Sequence, residues 1–148
     1  MKKLKLILPI IACMLLICPI VLAQGQSQVF ENGETSAYTN MEIIQIQNQF
    51  RVTLDNGNQV EIIMPNVASE KAIEQLQLRV CSEENNCNIE LKEVGNQAVY
   101  EVKAQKPVMF LGLFRVQMQV QAQINAENGE TIQVKEAWWS FLANKIEE

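Results

Sequence analysis

The chain has 148 residues, with 17 acidic and 12 basic side chains, four cysteines and no histidine. That length holds one domain at most. Without histidine, a serine triad, a cysteine–histidine nucleophile and most catalytic zinc sites are excluded. The acidic excess also argues against a nucleic-acid surface, and no basic stripe offsets it.

Residues 1–23, MKKLKLILPIIACMLLICPIVLA, begin with Lys2, Lys3 and Lys5, run apolar from Leu6 to Ala23, and end on the small residues Val21 and Ala23. A positive start, an apolar middle and a small-residue exit predict a secretory signal peptide. Two other readings stay open. The 18-residue apolar run is just long enough for an uncleaved anchor. Ile10-Ile11-Ala12-Cys13 has a weak likeness to a lipoprotein box. Without residues 1–23 the chain keeps 9 basic residues against 17 acids, a net charge of −8. The chain is expected outside the cytoplasm, secreted or held at the membrane by its N-terminal segment.

Residues 24–40 are rich in Gln, Ser, Asn and Gly and read as a flexible linker or arm. The ordered domain is expected over residues 41–143, with 144–148 as a tail. Phe50, Val52 and Leu54 alternate with Arg51 and Thr53, as in a half-buried strand. Asn56-Gly57 then supplies a hairpin turn, since both residues tolerate positive φ. Val60, Ile62 and Met64 share one face of the returning strand, and Pro65 is expected to end it.

SEKAIEQLQL (69–78) predicts a helix capped by Ser69, with Ala72, Ile73 and Leu76 as an apolar stripe facing a sheet. Cys81 and Cys87 then bracket the polar stretch SEENN. An even cysteine pair in an exported chain predicts a disulfide. Strand patterns resume in RVC, CNIELKEV and AVYEVKA, the last after the Gly95-Asn96 turn.

A long strand follows, from about Phe110 to Ala126. In it Val116, Met118, Val120, Ala122 and Ile124 alternate with Gln117, Gln119, Gln121 and Gln123. Edge strands are usually protected by charge, Pro or a bulge, and this stretch has no charge between Arg115 and Glu127. It is either a central strand paired on both sides or a neutral face kept for a partner. Asn128-Gly129 turns the chain into ETIQV. The ending, KEAWWSFLANKIEE, is densely apolar: Trp138 and Trp139 close the edge of a core or anchor an interface.

No calcium loop, phosphate-binding glycine loop or glycosylation sequon is present, and no cofactor or metal is expected. The glutamates are scattered, and no pair stands out for acid–base chemistry.

EIIMPNVASEKAIEQLQLRVCSEENNCNIELKEVG (61–95) and QAQINAENGETIQVKEAWWSFLA (121–143) resemble a recurrent, uncharacterised secreted domain of archaeal and candidate-phylum bacterial proteins. The likeness spans most of residues 41–143, and it departs from the usual form at Glu136-Ala137, where proline is more usual. A looser resemblance is to PepSY domains: a helix opening SEKAIEQL, a hairpin, the YEVKA strand and the hairpin INAENGETIQV, with Asn125 where aspartate is typical. That resemblance implies a non-catalytic module that restrains or modulates a secreted peptidase.

The sequence thus predicts an α+β domain with one antiparallel sheet of about six strands, one helix on one face and one disulfide-closed hairpin. The expected role is non-enzymatic protein–protein interaction at or outside the cell surface. Its candidate contacts are Gln117, Gln119, Gln121, Gln123, Trp138 and Trp139. The partner is another extracytoplasmic protein or a second copy, with neither nucleic acid nor, beyond the leader, a membrane involved. The alternative is a self-assembling surface or filament subunit that exchanges strands.

Overall fold

The computed structural model describes residues 28–32, 35–82 and 86–145; the predicted leader, residues 1–23, lies outside these. Among the described residues, ten strands and one α-helix give an α+β fold. The strands are β1 (Gln28–Asn32), β2 (Thr35–Thr39), β3 (Ile43–Ile46), β4 (Gln49–Thr53), β5 (Gln59–Ile62), β6 (Asn88–Val94), β7 (Gln97–Phe110), β8 (Phe114–Asn125), β9 (Thr131–Glu136) and β10 (Ala143–Lys145). The helix α1 spans Pro65–Leu76.

The strands form two sheets, one more than expected. The larger has the order β1-β2-β6-β7-β8-β9, with β10 added beside β7; the smaller is β3-β4-β5. The larger is also mixed, because β2 runs parallel to β6, with Tyr38 opposite Glu90 and Thr39 opposite Leu91. A helix and the small sheet separate these two strands in sequence, which is the crossover that a parallel pair needs.

Residues 28–32 and 35–39 are not a linker. β1 and β2 form a hairpin on the large sheet, with Phe30 opposite Ala37, and Phe30, Ala37 and Thr39 are buried. One-sided burial leaves most of the other residues of this edge polar, Val29 and Tyr38 excepted, which is why the segment reads as unstructured. The Phe30 and Phe50 rings, 4.7 Å apart, tie this hairpin to the small sheet.

Helix α1 begins four residues before its expected start. Pro65 is at the first helical position, where a missing N–H and fixed φ suit the helix, rather than at a strand end. Ser69 is therefore no cap; it lies inside the helix and is buried with Ala68, Ala72 and Leu76. The C-terminus closes on Gln77 at φ 54°, with Gln77 and Leu78 donating to the carbonyls of Glu74 and Ile73. This double return is a Schellman end.

The buried side of α1 lies on the large sheet, which presents Tyr100, Val102 and Ala104 from β7 and Val120, Ala122 and Ile124 from β8. Ala68 and Ala72 have no exposed surface, so a larger residue at either would cost about 1–3 kcal/mol in overpacking. Val52, Leu54 and Ile62 from the small sheet complete the core. The sheets are also stitched by hydrogen bonds: Ile63 N–H donates to Ala126 O at 2.7 Å, and the Tyr100 hydroxyl donates to Ile63 O at 2.7 Å. Tyr100 is fully buried, and desolvation pushes its phenol well above the usual range.

The stretch expected as one strand from Phe110 is the far end of β7, a tight turn and then β8. Leu111 and Gly112 both take positive φ, 54° and 70°, and Leu113 N–H returns to Phe110 O at 3.0 Å. β7 itself runs through Pro107, which falls between the part of the strand paired with β6 (to Lys103) and the part paired with β10 (from Val108). No described strand occupies that edge between the two, so the ladder there tolerates a proline.

Candidate functional site

The Cys81–Cys87 disulfide is formed, with Cα atoms 5.1 Å apart, and closes the loop between α1 and β6. Residues 79–81, expected as a strand, are part of that loop. Cys87 N–H donates to Ser82 O at 3.0 Å, and the Asn86 amide donates to Gln105 Oε1 at 3.0 Å, which holds the loop against β7.

β8 is an inner strand, paired with β7 on one side and β9 on the other. Its glutamines face away from the helix and divide into two kinds. Gln117 and Gln119 are exposed, whereas Gln121 and Gln123 are half-buried. The inner two donate to Glu101 Oε2 on β7, at 2.7 and 3.1 Å. Lys92 on β6 and Lys103 on β7 complete the shell around that carboxylate.

Glu101 is only 3% exposed although no described helix covers this side of the sheet. Burial alone would raise its pKa. Hydrogen bonds from Lys103, Lys92 and Gln123, with the charge of Lys92, together outweigh that and lower it to about 2. Lys103 is pushed up in turn, mainly by its hydrogen bond to Glu101. A carboxylate held this firmly ionised cannot serve as a proton donor near neutrality. Its role here is to lock three strands together. Sequence alternation identifies the face but not Glu101, because apart from Lys103 its partners lie 9 to 22 residues away along the chain.

The two tryptophans separate. Trp139 turns inward and meets Phe110 edge-on, with ring centroids 5.6 Å apart. Trp138 is 83% exposed, and Phe141, in the 3-10 turn Ser140–Leu142, is 75% exposed. β10 brings this segment, including two residues expected as a free tail, alongside the end of β7, with Ala143 opposite Phe110. The β7–β8 turn adds Leu111, Leu113 and Phe114, which are 55%, 72% and 60% exposed. Leu111 N–H donates to Leu142 O at 2.9 Å, so both groups belong to one apolar tip. Leu111, Leu113, Phe114 and Phe141 escape the sequence reading, which merges them into a strand and a core-closing tail. The signal that could have found them is Gly112 inside an apolar run, since glycine within a strand pattern marks a turn or bulge.

Beside the tip, a cavity of about 470 Å³ opens between the end of α1, β7, β8 and β10. Its apolar lining includes Leu78, Val108 and Met118. Lys106 projects into it, donating to Glu136 Oε1 at 2.8 Å and to the last helical carbonyl, that of Leu76, at 3.3 Å. A lysine there also complements the negative end of the helix dipole.

Among the described residues, no group of three His, Cys, Asp or Glu side chains could hold a metal ion, and no helix is long and apolar enough to cross a membrane. No family model, curated protein or solved structure matches the chain.

Proposed function

We propose that this is an exported, non-enzymatic binding module that docks onto another extracytoplasmic protein through its apolar tip. The carrying observation is the conformation of Leu111. A leucine in the left-handed region is strained relative to glycine or asparagine, by roughly 1 kcal/mol. Here it is also more than half exposed, so the fold recovers little of that cost by burial. Leu113, Phe114, Trp138 and Phe141 are likewise exposed, on the two stretches that the Leu111–Leu142 bond joins, and exposed apolar groups with aromatic anchors mark interaction sites.

Topology favours a protein partner over the bilayer that would hold a retained leader. The chain enters the sheet at Gln28, which stands level with Tyr100 through the pairs Gln28–Thr39, Thr39–Leu91 and Leu91–Tyr100. Tyr100 lies ten residues of strand from Phe110, on the order of 30 Å. The tip therefore points away from the end where the leader joins. Charge argues against a second copy as occupant, since two chains of net charge −5, or −8 without residues 1–23, repel at long range. The succession α1, β6, β7, β8, β9 supports a PepSY-like module that modulates a secreted peptidase, and the membership of the uncharacterised secreted family is proposed with it.

Light scattering behind size exclusion, over about a hundredfold range of concentration, tests the choice of occupant. A constant monomer mass is expected. A dimer that Trp138→Ser dissolves would instead make the tip a homotypic interface, and polymers indifferent to that change would point to strand exchange.

A further inference from the structure

We infer that the side of the large sheet turned away from α1 is a second binding site, for a neutral polysaccharide chain laid across the strands. The register sets the side chains there in rows. Tyr38, Glu90, Glu101, Gln123 and Gln133 are successive partners from β2 to β9, and Lys103, Gln121 and Lys135 are partners in the row beside them. Tyr38 and Gln133 stand four strand spacings apart, about 19 Å, which gives room for several sugar rings.

Glu101 sets the hydrogen-bonding pattern of this surface. Paired with Lys92 and Lys103, it is an ionised carboxylate and can only accept. The amide nitrogens of Gln121 and Gln123 must therefore face it, and each glutamine offers its carbonyl oxygen as a fixed acceptor. Lys103, Lys135 and Gln119 are exposed beside them and bring donors. A cavity of about 380 Å³, within the range of small-ligand sites, has Lys103, Gln119, Gln121 and Lys135 in its lining. A sugar hydroxyl both donates and accepts, so one ring can use the glutamine oxygens and the lysine nitrogens together. The C–H face of a sugar ring needs a flat apolar platform, and Tyr38, 46% exposed and paired with exposed Val29 at the end of the first row, supplies one. Among the described residues the rows set Glu90 and Glu101 against Lys103 and Lys135, with Lys92 beside them, so this surface is nearly charge-balanced in a chain with an acidic excess. That balance favours a neutral chain over an acidic one.

This site goes beyond the docking role of the tip and does not depend on it. Calorimetric titration of the full chain with cellohexaose, maltohexaose and chitohexaose, with glucose, and with a hexamer of galacturonic acid tests it. At least one neutral hexasaccharide should bind at millimolar concentration, with glucose weaker by about tenfold or more because one ring reaches fewer of these groups. Gln119→Ala/Lys135→Ala changes two exposed positions and should weaken that hexasaccharide by about tenfold without altering the thermal midpoint. Tyr38→Ala should weaken it by a similar factor through loss of the platform. Trp138→Ala/Phe141→Ala should leave it unchanged, which separates this site from the tip. The inference is overturned if no neutral hexasaccharide binds, if the galacturonic acid hexamer binds more tightly than the neutral ones, if either sheet variant binds like the parent, or if the tip variant abolishes binding.

Discussion

Leu111 and Leu142 are joined by a backbone hydrogen bond of 2.9 Å, and this bond makes one surface from two stretches of chain. Leu111 sits at the head of the β7–β8 turn in a left-handed conformation, while Leu142 ends the 3-10 turn that follows the tryptophans. If the leucine side chain is retained for binding, the fold should be better off without it. Leu111→Gly is expected to raise stability by about 0.5–1 kcal/mol, because glycine reaches positive φ without strain, while partner binding weakens. Chemical denaturation reads the first effect. A clear loss of stability would mean that the leucine is structural after all.

The adjacent tryptophans should behave oppositely. Trp139→Ala removes the edge-on contact with Phe110 and is expected to cost about 1–3 kcal/mol. Trp138→Ala removes a side chain that is 83% exposed and should shift stability by less than about 0.5 kcal/mol. Equal losses in urea midpoints would show that both rings close the core.

Glu101 makes the acid limb of stability testable. Its carboxyl titrates near 2 in the folded chain, against an ordinary value of 4.5. A depressed carboxylate contributes fully above its unfolded pKa and loses that contribution as pH falls toward the folded one. The window here is from about pH 5 down to about 2. Glu101→Gln should therefore cost on the order of 2 kcal/mol at neutral pH, a figure discounted because Lys103 is half exposed and screened. The gap between parent and variant should close as pH falls through that window. Curves that stay parallel from pH 7 to 2 would show that the network does not hold the charge.

Reducing the Cys81–Cys87 bond should lower stability by about 2 kcal/mol, the chain-entropy value for a loop this short. A larger loss would mean that the loop also anchors β6, through Asn86 and Gln105. An unchanged unfolding midpoint would show that the loop is held without the bond.

What the sequence reveals here is what periodicity encodes. The apolar sides of β4 and β8, the Asn56-Gly57 turn and the disulfide pair are all legible, because each is a local pattern with a single physical reading. Pro65 has two readings, strand end and helix start, and the choice depends on where the chain goes next. β1 and β2 are masked by polarity, since an edge hairpin buried on one side needs only Phe30, Ala37 and Thr39 inside. The parallel join of β2 to β6 and the shell around Glu101 arise from pairings between distant segments that no window of sequence contains. The tip is hidden for another reason. Exposed apolar residues look like core residues until the topology shows that no described segment lies over them.

The most direct test of the docking surface is position-specific photo-crosslinking in the cell that makes the protein. A photoreactive residue replaces Trp138 or Phe141 at the tip, and Ile132 on the outer strand β9 or Ile46 on the small sheet as controls. A tip that docks on one extracytoplasmic protein yields a single discrete protein adduct from both tip positions and none from the controls. Adducts from Ile132 or Ile46 with none from the tip, or tip adducts to lipid alone, would contradict the assignment.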